Sequence, residues 1–286
     1  MNRFKSTKLA SIFGILGNIL LMIIKGIVAL LTGSQAMTAD AFNSAGDIFS
    51  SLMTYIGNKI SSTPSDEDHN LGHGKAEYIY SMLISISMIL MAMFVLKDSF
   101  ISLVKGKTYD FSIWLIVVCL ITIIVKLFLF LYTNKVYKKY NNLLVKANSK
   151  DHFNDMIITS VNLISCILSI YGIYFLDGVV GIIISLWIMY TSIKLFIESY
   201  NVLMDKSISV ETKNEVYEII DRHKEIKKVI HFNSTPVGYK YQISFTIYVD
   251  GNMSTFDSHD IANKLEKEII KEIDEIYLVI IHVNPI

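Results

Sequence analysis

The chain has 286 residues, 52% of them hydrophobic and 18% charged, with 26 basic against 26 acidic side chains for a formal net charge of zero. Soluble globular domains are less apolar and carry about 25% charged residues, so this composition belongs in a lipid bilayer rather than in water. Zero net charge without a basic stripe gives no footing for a nucleic-acid partner. The two cysteines, Cys119 and Cys166, fall inside apolar runs, as packing residues rather than a disulfide framework or a CxxC metal site.

A helix needs about 20 mostly apolar residues to cross the hydrocarbon core. Spans are expected at Leu9 to Leu31, Met37 to Ile60, Tyr78 to Val104, Ile113 to Tyr132, Leu144 to Gly172 and Leu176 to Tyr200. Arg3, Lys5 and Lys8 precede the first run as they would in a secretory signal, but the run is too long and has no cleavage site. The fifth span is the most polar, its clean apolar run starting only at Met156. Lys135, Lys138, Lys139, Lys146 and Lys150 crowd the connection between spans four and five, which with the basic N-terminus marks the cytoplasmic side. Six spans then return the C-terminus to the cytoplasm, in a multi-pass protein of the cytoplasmic membrane. The stretch from Tyr174 to Asp177 has no lysine or arginine, whereas Lys97, Lys105 and Lys107 on another outer connection run against the trend.

Beyond Tyr200 the texture becomes charged and mixed. Val210 to Ile226 repeats Val216, Ile219 and Ile220 at helical spacing, and Tyr241 to Asp250 alternates Ile243, Phe245, Ile247 and Val249 on one face. Ser258 to Ile273 is again helical and Tyr277 to Val283 is a closing strand. The expected fold is therefore an all-α six-helix transmembrane bundle (residues 1–204) plus a C-terminal cytoplasmic α+β ferredoxin-like domain (205–286) of order α-β-β-α-β. An exposed sheet face or edge would favour dimer formation.

An ionisable group inside the hydrocarbon costs a few kcal/mol or more and marks function by default. Asn43 and Asp47 lie four apart in span two, and Asp151 and Asp155 lie four apart at the start of span five. That spacing puts each pair on one helix face. Two such faces turned together surround a point with four oxygen-bearing side chains, three of them carboxylates, which suits a divalent cation. Asp151 can alternatively be interfacial and solvated, and Asp40 can line an outer exit or bond backbone. His152 stands about 100 degrees around the helix from Asp151 and reads as a packing or interfacial residue rather than a ligand. Lys25 in span one reads as a snorkelling or packing lysine.

Carboxylate and amide oxygens suit manganese, magnesium or calcium, whereas imidazole and thiolate suit zinc. Among trace metals Mn(II) fits best, with Fe(II) close in ligand preference. Three carboxylates in low dielectric cannot all stay ionised once the metal leaves, so protons compete with it for the same oxygens. Metal/proton antiport follows if the bundle rocks between two openings.

These residues resemble the cation diffusion facilitator family over nearly the whole chain. SQAMTADAFNSAGDIFSS (Ser34 to Ser51) is similar to that family's second helix, PSDEDHNLGHGKAE (Pro64 to Glu77) to the cytoplasmic loop after it, and KANSKDHFND (Lys146 to Asp155) to the start of its fifth. The resemblance implies proton-coupled export of divalent metals by a homodimer joined through its cytoplasmic domains, with Asn43, Asp47, Asp151 and Asp155 as the transport site. Zinc members carry a histidine at one of those positions. Its absence is similar to the bacterial manganese-exporting branch. The resemblance also implies a loop metal site at Asp66, His69 and His73, which otherwise read as solvated loop residues, and an interface charge pair of Lys75 with Asp205. His231, His259 and His282 match three ligands of a C-terminal metal site, but Asn284 replaces a carboxylate and the strand near Ser244 to Thr246 offers no histidine, so a single or absent site is expected there. His223 reads as a surface helix residue.

Within the same architecture the rivals are Zn(II), Co(II) or Fe(II) efflux, and outside it a membrane-embedded metal sensor. Nothing indicates an enzyme: there is no HExxH and no nucleophile with its base, and no P-loop that would bind ATP.

Overall fold

The computed structural model describes residues 3–32, 35–105, 113–169 and 175–286. Ser34, Lys107, Gly172 and Tyr174 of the sequence expectations lie outside them. Six long helices come first: α1 (Arg3–Thr32), α2 (Gln35–Ser61), α3 (Ala76–Lys105), α4 (Ile113–Tyr140), α5 (Leu143–Ser169) and α6 (Phe175–Leu203). At 1.5 Å per residue their 27 to 30 residues reach about 40 Å, more than the roughly 30 Å of a hydrocarbon core. By length and apolar content α1, α3, α4 and α6 qualify as membrane spans. The other two, α2 and α5, carry the acidic and amide residues singled out above, which dilute their apolar content.

The described residues of Met1–Ser62 and Ala76–Tyr200 form one compact unit. It is turned inside out relative to a soluble core: Leu16, Leu30, Phe94, Ile124 and Trp187 are exposed on its surface, while Ser11, Asn18, Ser51, Thr133 and Asn148 are buried. Lipid rewards that arrangement, because apolar side chains gain nothing by leaving it and polar groups must find partners inside. Small residues bring the helices close. A Cβ on Gly14 of α1 would stand 2.6 Å from Ser51 Oγ on α2, so only glycine lets that hydroxyl sit against the backbone. At the start of α3, Glu77 is buried and accepts from Arg3 Nη2 of α1 at 2.7–2.8 Å, from the Leu143 backbone N–H at 2.8 Å and from Asn142 Nδ2 at 3.3 Å, tying three chain segments to one carboxylate.

Thr63–Lys75 and Asn201–Ile286 form the second unit. Its elements are α7 (Val210–Ile220), β1 (Lys228–Val237), β2 (Lys240–Val249), α8 (Thr255–Glu272) and β3 (Ile276–Pro285). The central strand β2 pairs antiparallel with β1 across a tight turn and parallel with β3 through the α8 crossover. This is the expected α-β-β-α-β order. Ile243, Phe245, Ile247 and Val249 of β2 form the core with Val216 and Ile219 of α7 and Leu265 and Ile269 of α8. Ser209 and Ser254 cap the two helices, each accepting from the backbone N–H three residues on.

Two local expectations are corrected. The first helix of this unit stops at Ile220 instead of Ile226, closed by Arg222 N–H to Ile219 O and His223 N–H to Ile220 O, after which the polar run Asp221 to Glu225 has no apolar face to continue it. His223 is therefore in a turn, where its Nε2 meets Glu268 Oε2 at 2.9 Å.

Candidate metal sites

Three buried carboxylates converge in the helix bundle. Asp47 on α2 and Asp155 on α5 are 4% and 6% exposed, and both bond the same ammonium, Lys126 Nζ on α4, at 2.8 and 2.5 Å. Asp151 stands one turn before Asp155, with an oxygen close enough to join it in a group whose ligand atoms lie within 4.8 Å of one another. Asn43, one turn before Asp47, has its Oδ1 buried without a hydrogen-bond partner, and so has Asp151 at Oδ2. A buried acceptor without a donor costs about 1–3 kcal/mol. Around these two acceptors the three carboxylates make the region rich in lone pairs, of which the Lys126 ammonium takes one oxygen each of Asp47 and Asp155.

Two residues at this centre escape the sequence pattern. Lys126 lies within an apolar run of α4, and the signal for it is that a lysine amid such a run requires a counter-charge. His152 is the other. The rotation of about 100 degrees does not take it out of the cluster: it is fully buried, a ring nitrogen lies within 4.8 Å of oxygens of Asp151 and Asp155, and neither ring nitrogen has a hydrogen-bond partner. Full burial excludes an interfacial contact for His152, and its ring packs beside the two carboxylates.

Lys25 does not snorkel. It is 2% exposed, with Nζ 3.0 Å from Asp40 Oδ1 and 3.1 Å from Ser44 Oγ, so Asp40 is the partner of a buried ammonium on α1.

In the loop after α2, Asp66, His69 and His73 gather on the surface with ligand atoms within 4.8 Å of one another. Asp66 Oδ1 accepts from the His69 backbone N–H at 2.7 Å and meets His69 Nδ1 at 3.2 Å, while Asp66 Oδ2 is 3.5 Å from His73 Nε2. The His69 backbone hydrogen bond, aided by the His69 and His73 rings, holds the Asp66 carboxyl below the usual carboxylate range. His73 Nδ1 lies 3.2 Å from Pro64 O, a backbone acceptor that fixes the ring with its Nε2 turned toward Asp66. The loop is pinned by Gly74, where a Cβ would stand 2.6 Å from Gly238 Cα in the β1–β2 turn. Lys75 and Asp205 form a half-exposed ion pair at 2.7 Å within this one chain.

His231, His259 and His282 are exposed and form no such group among the described residues. His231 sits with φ 54° in the bulge that breaks the β1 register between Ile230 and Asn233. His259 lines a surface depression with Asp250 and Asn284. Within one chain, the three histidines that match family ligands therefore do not come together among the described residues.

Two family models account for most of the sequence: the cation efflux transmembrane domain over residues 11–204 and the cation efflux protein cytoplasmic domain over 208–286. Among curated proteins, the manganese efflux system protein MneP of Bacillus subtilis is 27% identical over 99% of this chain and 97% of its own length. The magnetosome protein MamB of Magnetospira is 25% identical over 92% of this chain and 89% of its own. Among solved structures, the metal-bound C-terminal domain of the CzcD transporter from Thermotoga maritima is 33% identical over 27% of this chain and 88% of that one, with a TM-score of 0.26. The chain therefore belongs to the cation efflux, or cation diffusion facilitator, family of membrane transporters.

Proposed function

We propose that the protein exports a divalent metal cation, Mn(II) in the first place, across the cytoplasmic membrane in exchange for protons, working as a homodimer with both termini in the cytoplasm. The observation that carries this reading is that Asp47 and Asp155 bond one buried ammonium, with Asp151 beside Asp155 and the unpartnered Oδ1 of Asn43 one turn before Asp47. Four oxygens from two helices suit a hard divalent ion. Their carboxylates also supply the coupling, because a proton and a metal compete for the same lone pairs. The manganese efflux protein among the relatives favours the same metal.

A second reading has its own observation. His152 brings an unpartnered imidazole beside Asp151 and Asp155, and a nitrogen donor favours Zn(II), Fe(II) or Co(II). Export through the same carboxylates would then serve a softer ion. Asp66, His69 and His73 form the loop metal site in either case, with Lys75 and Asp205 as the charge pair that steadies it near the dimer interface.

Uptake of manganese and zinc into proteoliposomes under an imposed pH gradient separates these readings. Manganese flux that disappears in Asp47→Ala, and zinc flux that appears in Asn43→His, support the oxygen site. Zinc flux in the wild type, lost in His152→Ala with manganese untouched, supports the second reading. No flux of either ion overturns both.

A further inference from the structure

The proposed transport site already holds a cation of its own. Lys126 is 1% exposed, and its ammonium hydrogen-bonds one oxygen each of Asp47 and Asp155, at 2.8 and 2.5 Å. These are carboxylates that a transported metal needs. Asn43 Oδ1 and Asp151 Oδ2 remain unpartnered, so the lysine satisfies part of the oxygen set and leaves the rest open. A divalent ion bound to the full set would stand within a few ångströms of that ammonium. Two positive charges so close in a buried site repel strongly. Both cannot keep the same oxygens.

We propose that Lys126 is a tethered competitor for the transported metal: its ammonium occupies the cation position between Asp47 and Asp155 in the empty carrier, and metal entry displaces it. The idea rests on the transport-site reading above. Lysine suits the role, since its charge is a compact point on a flexible four-carbon stem that can withdraw while α4 stays in place. In the empty carrier the ammonium keeps the carboxylates from forcing α2 and α5 apart. In the loaded carrier the same ammonium waits to return, which weakens metal binding and eases release. Selectivity follows as well. A divalent ion gains twice the charge of the ammonium it replaces, whereas sodium or potassium gains no more than the lysine already supplies.

Manganese and zinc binding to purified full-length protein in detergent, measured by calorimetry in Lys126→Met, Lys126→Gln and Asp47→Asn, tests this. The expected result is manganese binding at least tenfold tighter in Lys126→Met, with potassium, inert toward the wild type, now weakening it. A residue that served only as structural glue would give neither effect. Unchanged or weaker manganese binding in both lysine variants, while Asp47→Asn also binds weakly, overturns the competitor and leaves the site intact. Undiminished binding of both metals in Asp47→Asn overturns the site reading itself. Failure of both lysine variants to fold assigns Lys126 a purely structural role and also overturns the proposal.

Discussion

Replacing Glu77 should be among the most destabilising single changes in the helix bundle. Its carboxylate is 1% exposed, pairs with an Arg3 guanidinium that is 9% exposed, and also accepts from Leu143 N–H and Asn142 Nδ2. Glu77→Ala removes the acceptor and leaves a guanidinium, an amide N–H and a carboxamide without it. Breaking one side of a buried ion pair costs about 3–5 kcal/mol, and an orphaned backbone N–H adds about 1–3 kcal/mol. Asn142 and Arg3 can recover part of this by turning toward water at the helix ends, so a net loss of about 4 kcal/mol is expected. Thermal unfolding of the full chain in detergent reads the effect, with Arg3→Met and the double variant completing a cycle. The double variant should be more stable than Glu77→Ala alone, because it no longer buries an unpaired charge. A melting temperature for Glu77→Ala equal to wild type, or a double variant that simply sums the two losses, would refute the reasoning.

The remaining predictions concern the other paired groups. Asp40→Ala should cost more stability than Lys25→Met, about 3 against about 1 kcal/mol, since the first strands an ammonium that is 2% exposed and the second leaves a carboxylate 32% exposed; parallel melting curves decide the order. Gly238→Val should loosen the loop holding Asp66, His69 and His73, because Gly238 has φ 64° and its Cβ would stand 3.0 Å from Gly74 Cα; hydrogen exchange across 63–75 should accelerate while the helices α1 to α6 keep their protection. The hydrogen bond from His223, aided by Arg222, lowers the Glu268 carboxyl below its ordinary 4.5 despite some desolvation. A carboxyl depressed in the folded state stabilises it above the unfolded value and loses that contribution as pH falls through the folded one. Hydrogen exchange of α7 and α8 should therefore quicken below about pH 4.5, by an effect under about 1 kcal/mol for so exposed a cluster, and Glu268→Gln should abolish the pH dependence.

Much of this molecule is legible from periodicity and from polarity out of place. The apolar runs mark the helices of the bundle, and Asn43, Asp47, Asp151 and Asp155 stand out because lipid tolerates them only inside. The strict alternation of Ile243 to Val249 marks β2. What escapes the pattern is what depends on partners far away in the chain. Lys126 meets Asp47 and Asp155 across 79 and 29 residues of sequence, and no local rule links them. His152 stands about 100 degrees around α5 from Asp151, yet a ring nitrogen still comes within 4.8 Å of carboxylate oxygens of Asp151 and Asp155, a reach that helical rotation alone does not reveal. β1 is blurred by Pro236 and by the bulge at His231, which shifts its alternation by a residue and hides the strand's register. The end of α7 depends on turn hydrogen bonds that apolar spacing does not register.

The most direct test of the central claim is to follow manganese and protons together in one vesicle. With a pH dye inside proteoliposomes, adding manganese outside should drive metal inward and protons outward in a fixed ratio, and Asp155→Asn should lose both movements. Manganese entry without any proton movement, or coupled fluxes that persist in Asp155→Asn, would contradict the account.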